Sequence, residues 1–245
     1  SYYSRNWGFC MSHNQFQSLD RNAKYHVNID TSLEPGSLSY GEETIHGTSG
    51  IEFLFSSYCC HPSLANDNLS GVVTAVASML ALSRLKDRKY SYRLLIWPES
   101  IGALTYLANH KSSLSNVKGG YVLTCCGDPG DITYKKTRMG DSVFDLAASH
   151  AIRYLGKTDD RVRDFWLNGS DEQKLNAPGF RMEFGSFMRT PYSEFPEYHT
   201  SDDNLDFIKS ERILKSMRIH LKVLKELDND PVYINKFPDG EVMLS

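Results

Sequence analysis

From Ile51 onward the chain alternates short apolar runs with stretches of helical periodicity, and this alternation limits the fold more than any other feature. Short runs with few charges suit strands buried on both faces, and intervening helices supply the crossovers that parallel strands need. The pattern predicts an α/β fold, a parallel sheet covered by helices. The first predicted strand spans 51–58. Val72, Val73, Val76, Met79, Leu80 and Leu85 then fall at helical spacing, with no charge before Arg84. A second strand is predicted over 93–97, a short helix over 101–110 and a third strand over 120–126. Residues 142–155 read as an amphipathic helix with Val143, Leu146, Ala147, Ile152 and Leu155 inward. A fourth strand follows at 179–184. The last long helix is expected to start at Asp203 or Asn204, either able to cap it, and to turn Leu205, Ile208, Leu214, Met217, Leu221 and Leu224 to the core. Residues 185–202 have no period, and long irregular segments in compact domains are usually functional or disordered. Their aromatic and charged content favours function.

Residues 1–50 are rich in Ser, Gly, Tyr and Asn, and only alternating stretches such as Tyr25-His26-Val27-Asn28-Ile29 look like strands, so this part reads as small and β-rich. The 245 residues carry 27 Lys+Arg against 30 Asp+Glu, a net charge of −3. With the basic residues scattered, nucleic acid or an anionic membrane is excluded as the main partner. A small polar substrate, with or without homo-oligomer formation, suits this balance better. The least polar stretch, 69–83, is too short to span a bilayer. No charged and then apolar leader opens the chain. Five cysteines, an odd number with two adjacent pairs, suit free thiols and hence the cytoplasm.

Ligands of open parallel sheets bind at the carboxyl ends of the strands. Past the first predicted strand comes Cys59-Cys60-His61-Pro62 through Asn66-Asp67-Asn68, past the second Pro98-Glu99-Ser100, past the third Thr124 to Asp128, and past the fourth Glu197-Tyr198-His199. Two histidines and two carboxylates thus converge on one edge. That is the minimum for a catalytic zinc site: three ligands from His and Asp or Glu, an open position, and a carboxylate to take a proton. Taken singly, His61 or Asp67 is equally explained as a helix cap or a solvated strand end. The signatures of serine hydrolases, His-Glu-x-x-His proteases, nucleotide triphosphatases and dinucleotide enzymes are all lacking. Adjacent cysteines on a strand face opposite ways, so only one of Cys59 and Cys60 can meet His61.

The elements His61 with Asn66-Asp67-Asn68-Leu69-Ser70-Gly71, then Glu99-Ser100-Ile101-Gly102, Gly169-Ser170-Asp171 and Tyr198-His199-Thr200-Ser201-Asp202-Asp203 resemble the zinc aminopeptidase superfamily of leucyl aminopeptidases and glutaminyl cyclases. Tyr3-Ser4-Arg5-Asn6-Trp7-Gly8-Phe9-Cys10, Cys60-His61-Pro62-Ser63 and Arg189-Thr190-Pro191-Tyr192 resemble its aminopeptidase-like branch associated with bacterial polysaccharide biosynthesis. The resemblance implies a phosphorylase/hydrolase-like three-layer sandwich with a mixed, largely parallel sheet. It divides the chain into a small β-rich part at 1–49, the remnant of an inserted domain, a catalytic domain at 50–230, and a tail or linker at 231–245. It also implies further sequence before Ser1 and a winged-helix region after Ser245.

Carried over by position, His61 and His199 are metal ligands, Asp67 is the carboxylate that bridges two metals, and Glu99 is the general base. The second Glu of the family is Ser100 here, and its strand-end Asp falls near Thr124. His61, Asp67 and His199 still complete a three-ligand set, so one Zn²⁺ per chain is expected. The function implied is hydrolysis of an amide bond in an aminopeptidase-like or deacylase-like reaction, with Glu99 taking a water proton and passing it to the leaving amine. The rival assignment makes Glu99 itself a ligand. Arg138, Arg189, Tyr192, Glu194 and Glu197 are candidate substrate contacts, since Arg forks a carboxylate or phosphate and Glu holds an amine, although each is equally explained by a salt bridge. Asp171, Asp202 and Asp203 read as groups that orient His199. A module that has lost turnover, and aminoacyl transfer or cyclisation, are the alternatives.

Overall fold

The computed structural model describes residues 6–155 and 161–228, and the expected tail at 231–245 lies outside them. The chain forms two compact units, Ser1–Ser37 and Leu38–Ser245. In the first, helix α1 (His13–Ser18) is closed at its start by reciprocal Ser12 and Gln15 hydrogen bonds. Residues 25–29, expected as a strand, are exposed and join no sheet. Tyr25, Val27 and Ile29 do share one face, but all three are exposed, and an alternating segment with nothing packed on its apolar face is not held as a strand.

The second unit is built on a seven-stranded sheet ordered β1-β3-β2-β4-β7-β5-β6. Its strands are β1 (Gly41–Ile45), β2 (Glu52–Tyr58), β3 (Ser91–Trp97), β4 (Val117–Leu123), β5 (Thr133–Lys135), β6 (Val162–Arg163) and β7 (Glu183–Met188). Neighbours β3, β2, β4 and β7 run parallel, and so do β5 and β6, while β1 against β3 and β5 against β7 are antiparallel. The sheet is therefore mixed and largely parallel. Strand β1, at Gly41–Ile45, belongs to this sheet.

Along β2 the side chains alternate: Phe53 and Phe55 enter one core, Leu54 the other. The first core lies under α2 (Gly71–Ser83), α4 (Val143–Tyr154) and α6 (Ser210–Asp228), the second under α3 (Ile101–His110) and α5 (Glu172–Leu175). Helices on both faces of one sheet make the three layers.

Several registers differ from the periodicity. Of the apolar residues noted at helical spacing around α2 only Met79 is buried; Val73, Val76, Leu80 and Leu85 are exposed, and Gly71, Thr74, Ala75, Ser78 and Leu82 face the sheet. Close approach decides this: a Cβ on Gly71 would lie 2.5 Å from the Leu123 carbonyl, so the small face goes inward and bulky aliphatics outward. In α4, Phe144, Ala148 and Ala151 are buried while Val143 and Leu146 are exposed. The last helix begins at Ser210, not near 203, and Leu205 is exposed before it. The fourth parallel strand starts four residues later than predicted, after a turn in which the Met182 amide donates to the Leu175 carbonyl.

Candidate metal and catalytic site

His61, Asp67, Glu99 and His199 meet at the carboxyl edge of β2, β3, β4 and β7. One ligand atom from each of His61, Asp67 and His199 lies within 4.8 Å of the others. His199 Nε2 is 3.0 Å from Asp67 Oδ2, and His61 Nε2 is 3.9 Å from Glu99 Oε2. Asp67 is buried, whereas His199 is half-exposed, so the cluster opens to solvent on the His199 side. Two imidazoles and a carboxylate at this spacing fit a divalent zinc ion, for which nitrogen and carboxylate donors in a four-coordinate shell are usual.

Asp67 sits in an irregular turn, 65–70, between β2 and α2, and the Asp67–Asn68 peptide is cis. The turn is pinned from every side. Asp203 accepts the amides of Asn66 and Asp67, the latter at 2.9 Å. Asn68 donates to Ser57 Oγ and the Leu123 carbonyl and accepts the Cys125 amide, while Asn66 donates to Asp128. The Tyr58 hydroxyl donates to Asp67 Oδ1 and lies 2.7 Å from Thr124 Oγ1. One carboxylate oxygen of Asp67 is thereby taken by a protein donor, and the other faces His199. His199 itself adopts φ 55°, in the left-handed region that non-glycine residues enter at a cost of order 1–3 kcal/mol.

Glu99 is held through its neighbours. Asp171 accepts from Trp97 Nε1 at 2.6 Å and from the Ser100 amide at 2.7 Å, so it clamps the turn on both sides of Glu99. Burial pushes the Asp171 carboxyl up to about 7, against the pull of these two donors. Burial also raises the Glu99 carboxyl; the Ser170 hydroxyl and His61 oppose this, and the Asp67 and Glu172 carboxylates add to it. Beneath this turn lies a pair with no exposed side chain, Lys135 Nζ to Glu172 Oε1 at 2.7 Å, and Glu172 also accepts the Ser170 amide. Cys60 lies on the near side, its Sγ 3.3 Å from His61 Nδ1 and accepting the Glu99 amide at 3.3 Å.

The outlying sequence candidates disperse. Arg138 lines a cavity of about 360 Å³ with Glu183, the first residue of β7, at the amino edge of the sheet. The antiparallel direction of β5 carries the chain there, away from His61. Arg189 is buried, donating to the Arg212 carbonyl and Ser216 Oγ of α6, so it ties the helix down. Tyr192 is buried with its hydroxyl on Glu172, and Glu194 pairs with Arg163 at 3.1 Å. Glu197 is half-buried in the loop that carries His199. Asp202 is exposed; the buried member of that pair is Asp203, which orders Asp67 and not His199, and Asp171 orders Glu99.

Tyr58, Lys135 and Glu172 escaped the sequence reading as site residues, and of the two cysteines weighed against His61 the structure brings Cys60 to it. Tyr58 and Cys60 had a signal, their place at the end of β2, but Lys135 and Glu172 are joined only by the fold. A cavity of about 650 Å³ among Phe53, Lys118, Phe180 and Glu183 is also at the amino edge. The ligand geometry, not cavity size, singles out the candidate site.

A protein of Clostridium acetobutylicum named for polysaccharide biosynthesis and an aminopeptidase-like domain is 43% identical over 244 residues, covering 100% of this chain and 55% of its own length. A crystal structure described as a peptidase from the same organism superposes with a TM-score of 0.88 at 42% identity over 100% of this chain and 57% of that one. The chain thus spans little more than half the length of these relatives. A zinc aminopeptidase of Bacillus subtilis (TM-score 0.63, 17% identity, 78% of this chain, 50% of that one) shares the fold. So does a glutaminyl cyclase of Porphyromonas gingivalis (TM-score 0.61, 15% identity, 78% of this chain, 84% of that one). The expected aminopeptidase-like fold is thereby met. Residues 11–230 match the family described as a domain of unknown function, DUF4910, and the chain belongs to that family.

Proposed function

We propose that this domain hydrolyses an amide bond with one zinc ion held by His61, Asp67 and His199. The observation that carries the reading is the convergence of those three donors within 4.8 Å, with the Glu99 carboxylate beside His61. A zinc ion supplies Lewis acidity there, acidifying a water and polarising a carbonyl. Glu99 takes the water proton on its carboxylate and returns it to the departing amine. Burial of Glu99 supports this, because a carboxyl raised toward neutrality both accepts and gives a proton readily. Asp171 keeps Glu99 in place through the Ser100 amide and Trp97. The Tyr58 hydroxyl on Asp67 Oδ1, with Ser100 and Thr124 in place of two acidic ligands, supports one ion over two.

The name of the Clostridium relative favours a role in polysaccharide biosynthesis, with a small polar peptide, aminoacyl or amino-sugar conjugate as substrate. Five free cysteines favour the cytoplasm; among the described residues no helix is long and apolar enough to cross a membrane. The test is Glu99→Gln, assayed for zinc content and for turnover of aminoacyl amides and N-acyl amino sugars. Retained zinc with lost turnover is expected; lost zinc makes Glu99 a ligand and overturns its role as base. The absence of two acidic ligands at Ser100 and Thr124 favours one second reading, a module without turnover. It predicts no zinc even after soaking.

A further inference from the structure

His61 belongs to two ligand sets. Besides the set with Asp67 and His199, one ligand atom from each of Cys60, His61 and Glu99 also lies within 4.8 Å of the others. Cys60 is exposed on the loop after β2, so an ion reaches its sulfur directly from solvent. Its Sγ is 3.3 Å from His61 Nδ1 and accepts the Glu99 amide at 3.3 Å, so the sulfur is held beside both other donors of the set. Of the other thiols, Cys125 and Cys126 are buried and Cys59 and Cys10 join no such group among the described residues.

We infer that Cys60, His61 and Glu99 form a second metal site, selective for thiophilic divalent ions, which competes with the His61, Asp67 and His199 set for the shared imidazole. The two sets differ in softness. Two imidazoles and a carboxylate accept borderline ions, whereas a thiolate shifts preference toward soft ones such as Cd²⁺. Filling the second site expels the thiol proton to solvent and engages the Glu99 carboxylate. Resting on the hydrolase reading, this makes a thiophilic ion an inhibitor that removes the base and a shared ligand together.

The probe is Cd²⁺ alone, added at one equivalent to the metal-free chain, with the near-ultraviolet thiolate-to-cadmium charge-transfer absorbance as readout. The band is expected in the wild type and in His199→Ala, and is expected to vanish in Cys60→Ser while it survives in Cys59→Ser. A wild type without the band, or a Cys60→Ser variant that keeps it, overturns the site. In turnover assays of the zinc-loaded protein, Cd²⁺ inhibition is expected to weaken by at least roughly tenfold in Cys60→Ser, one of three ligands being gone. Equal inhibition of both overturns the competition. A chain that shows the band yet no turnover with any metal sinks the hydrolase reading and leaves the site standing.

Discussion

Replacing Glu172 by Gln leaves the Lys135 ammonium buried without its counter-charge. In the folded domain the two side chains are 0% exposed and 2.7 Å apart, and the remaining contacts of Lys135 are the Asn168 carbonyl at 3.0 Å and the rings of Trp166 and Phe165. Removing one member of a buried pair typically costs about 3–5 kcal/mol, because the survivor keeps its desolvation penalty. Lys135 has one escape: burial already lowers its pKa while Glu172 holds it up, so loss of Glu172 lets the amine shed its proton and caps the cost. Gln keeps an oxygen for the Ser170 amide, which isolates the charge from the hydrogen bond. The assay is urea unfolding of the wild type, Glu172→Gln, Lys135→Met and the double variant. Each single change is expected to lose about 3–5 kcal/mol, and the double variant to lose clearly less than the sum. Strict additivity, or single losses below about 1 kcal/mol, refutes the reasoning.

His220 is buried against Phe55, Tyr121 and Phe187, and burial pushes its pKa down to about 3. The unfolded chain then binds the extra proton between about pH 6.5 and 3, so stability falls with pH across that window by up to about 1.4 kcal/mol per unit. His220→Phe should flatten this slope in unfolding measurements from pH 7 to 5; an unchanged slope would assign it to other groups. Tyr58→Phe removes the donor on Asp67 Oδ1 and should change zinc affinity by roughly 10–100-fold in a chelator competition, as loss of a partner behind a ligand does elsewhere. Unaltered affinity would mean that Tyr58 does not shape the site. Gly120→Ala places a Cβ 1.6 Å from the Leu54 carbonyl, so it should cost about 3 kcal/mol or more or prevent folding. A near-native melting curve would contradict the close β2–β4 approach.

The layered α/β architecture was legible because strands buried on both faces leave nearly continuous apolar runs, as β2 shows with every residue buried. His61, Asp67, Glu99 and His199 were legible because topology, not side-chain detail, sends strand ends to one edge. Helix faces were not: in α2 the sheet demands small residues at close range, a requirement that hydrophobic periodicity reads backwards. The surroundings of the substrate candidates were not legible for a related reason, since an Arg looks alike in sequence whether or not it donates to a helix carbonyl, as Arg189 does.

The sequence by itself determined the four parallel strands, the longer helices between and after them and which residue types stand past each strand, because these follow from local periodicity, whereas the short β1, β5, β6 and α5 leave no such period. Only the tertiary structure decided what those residues touch. Tyr58 on one oxygen of Asp67, Asp203 under its amide, Asp171 around Glu99 and Cys60 against His61 join positions up to 136 residues apart, and no local rule spans that distance.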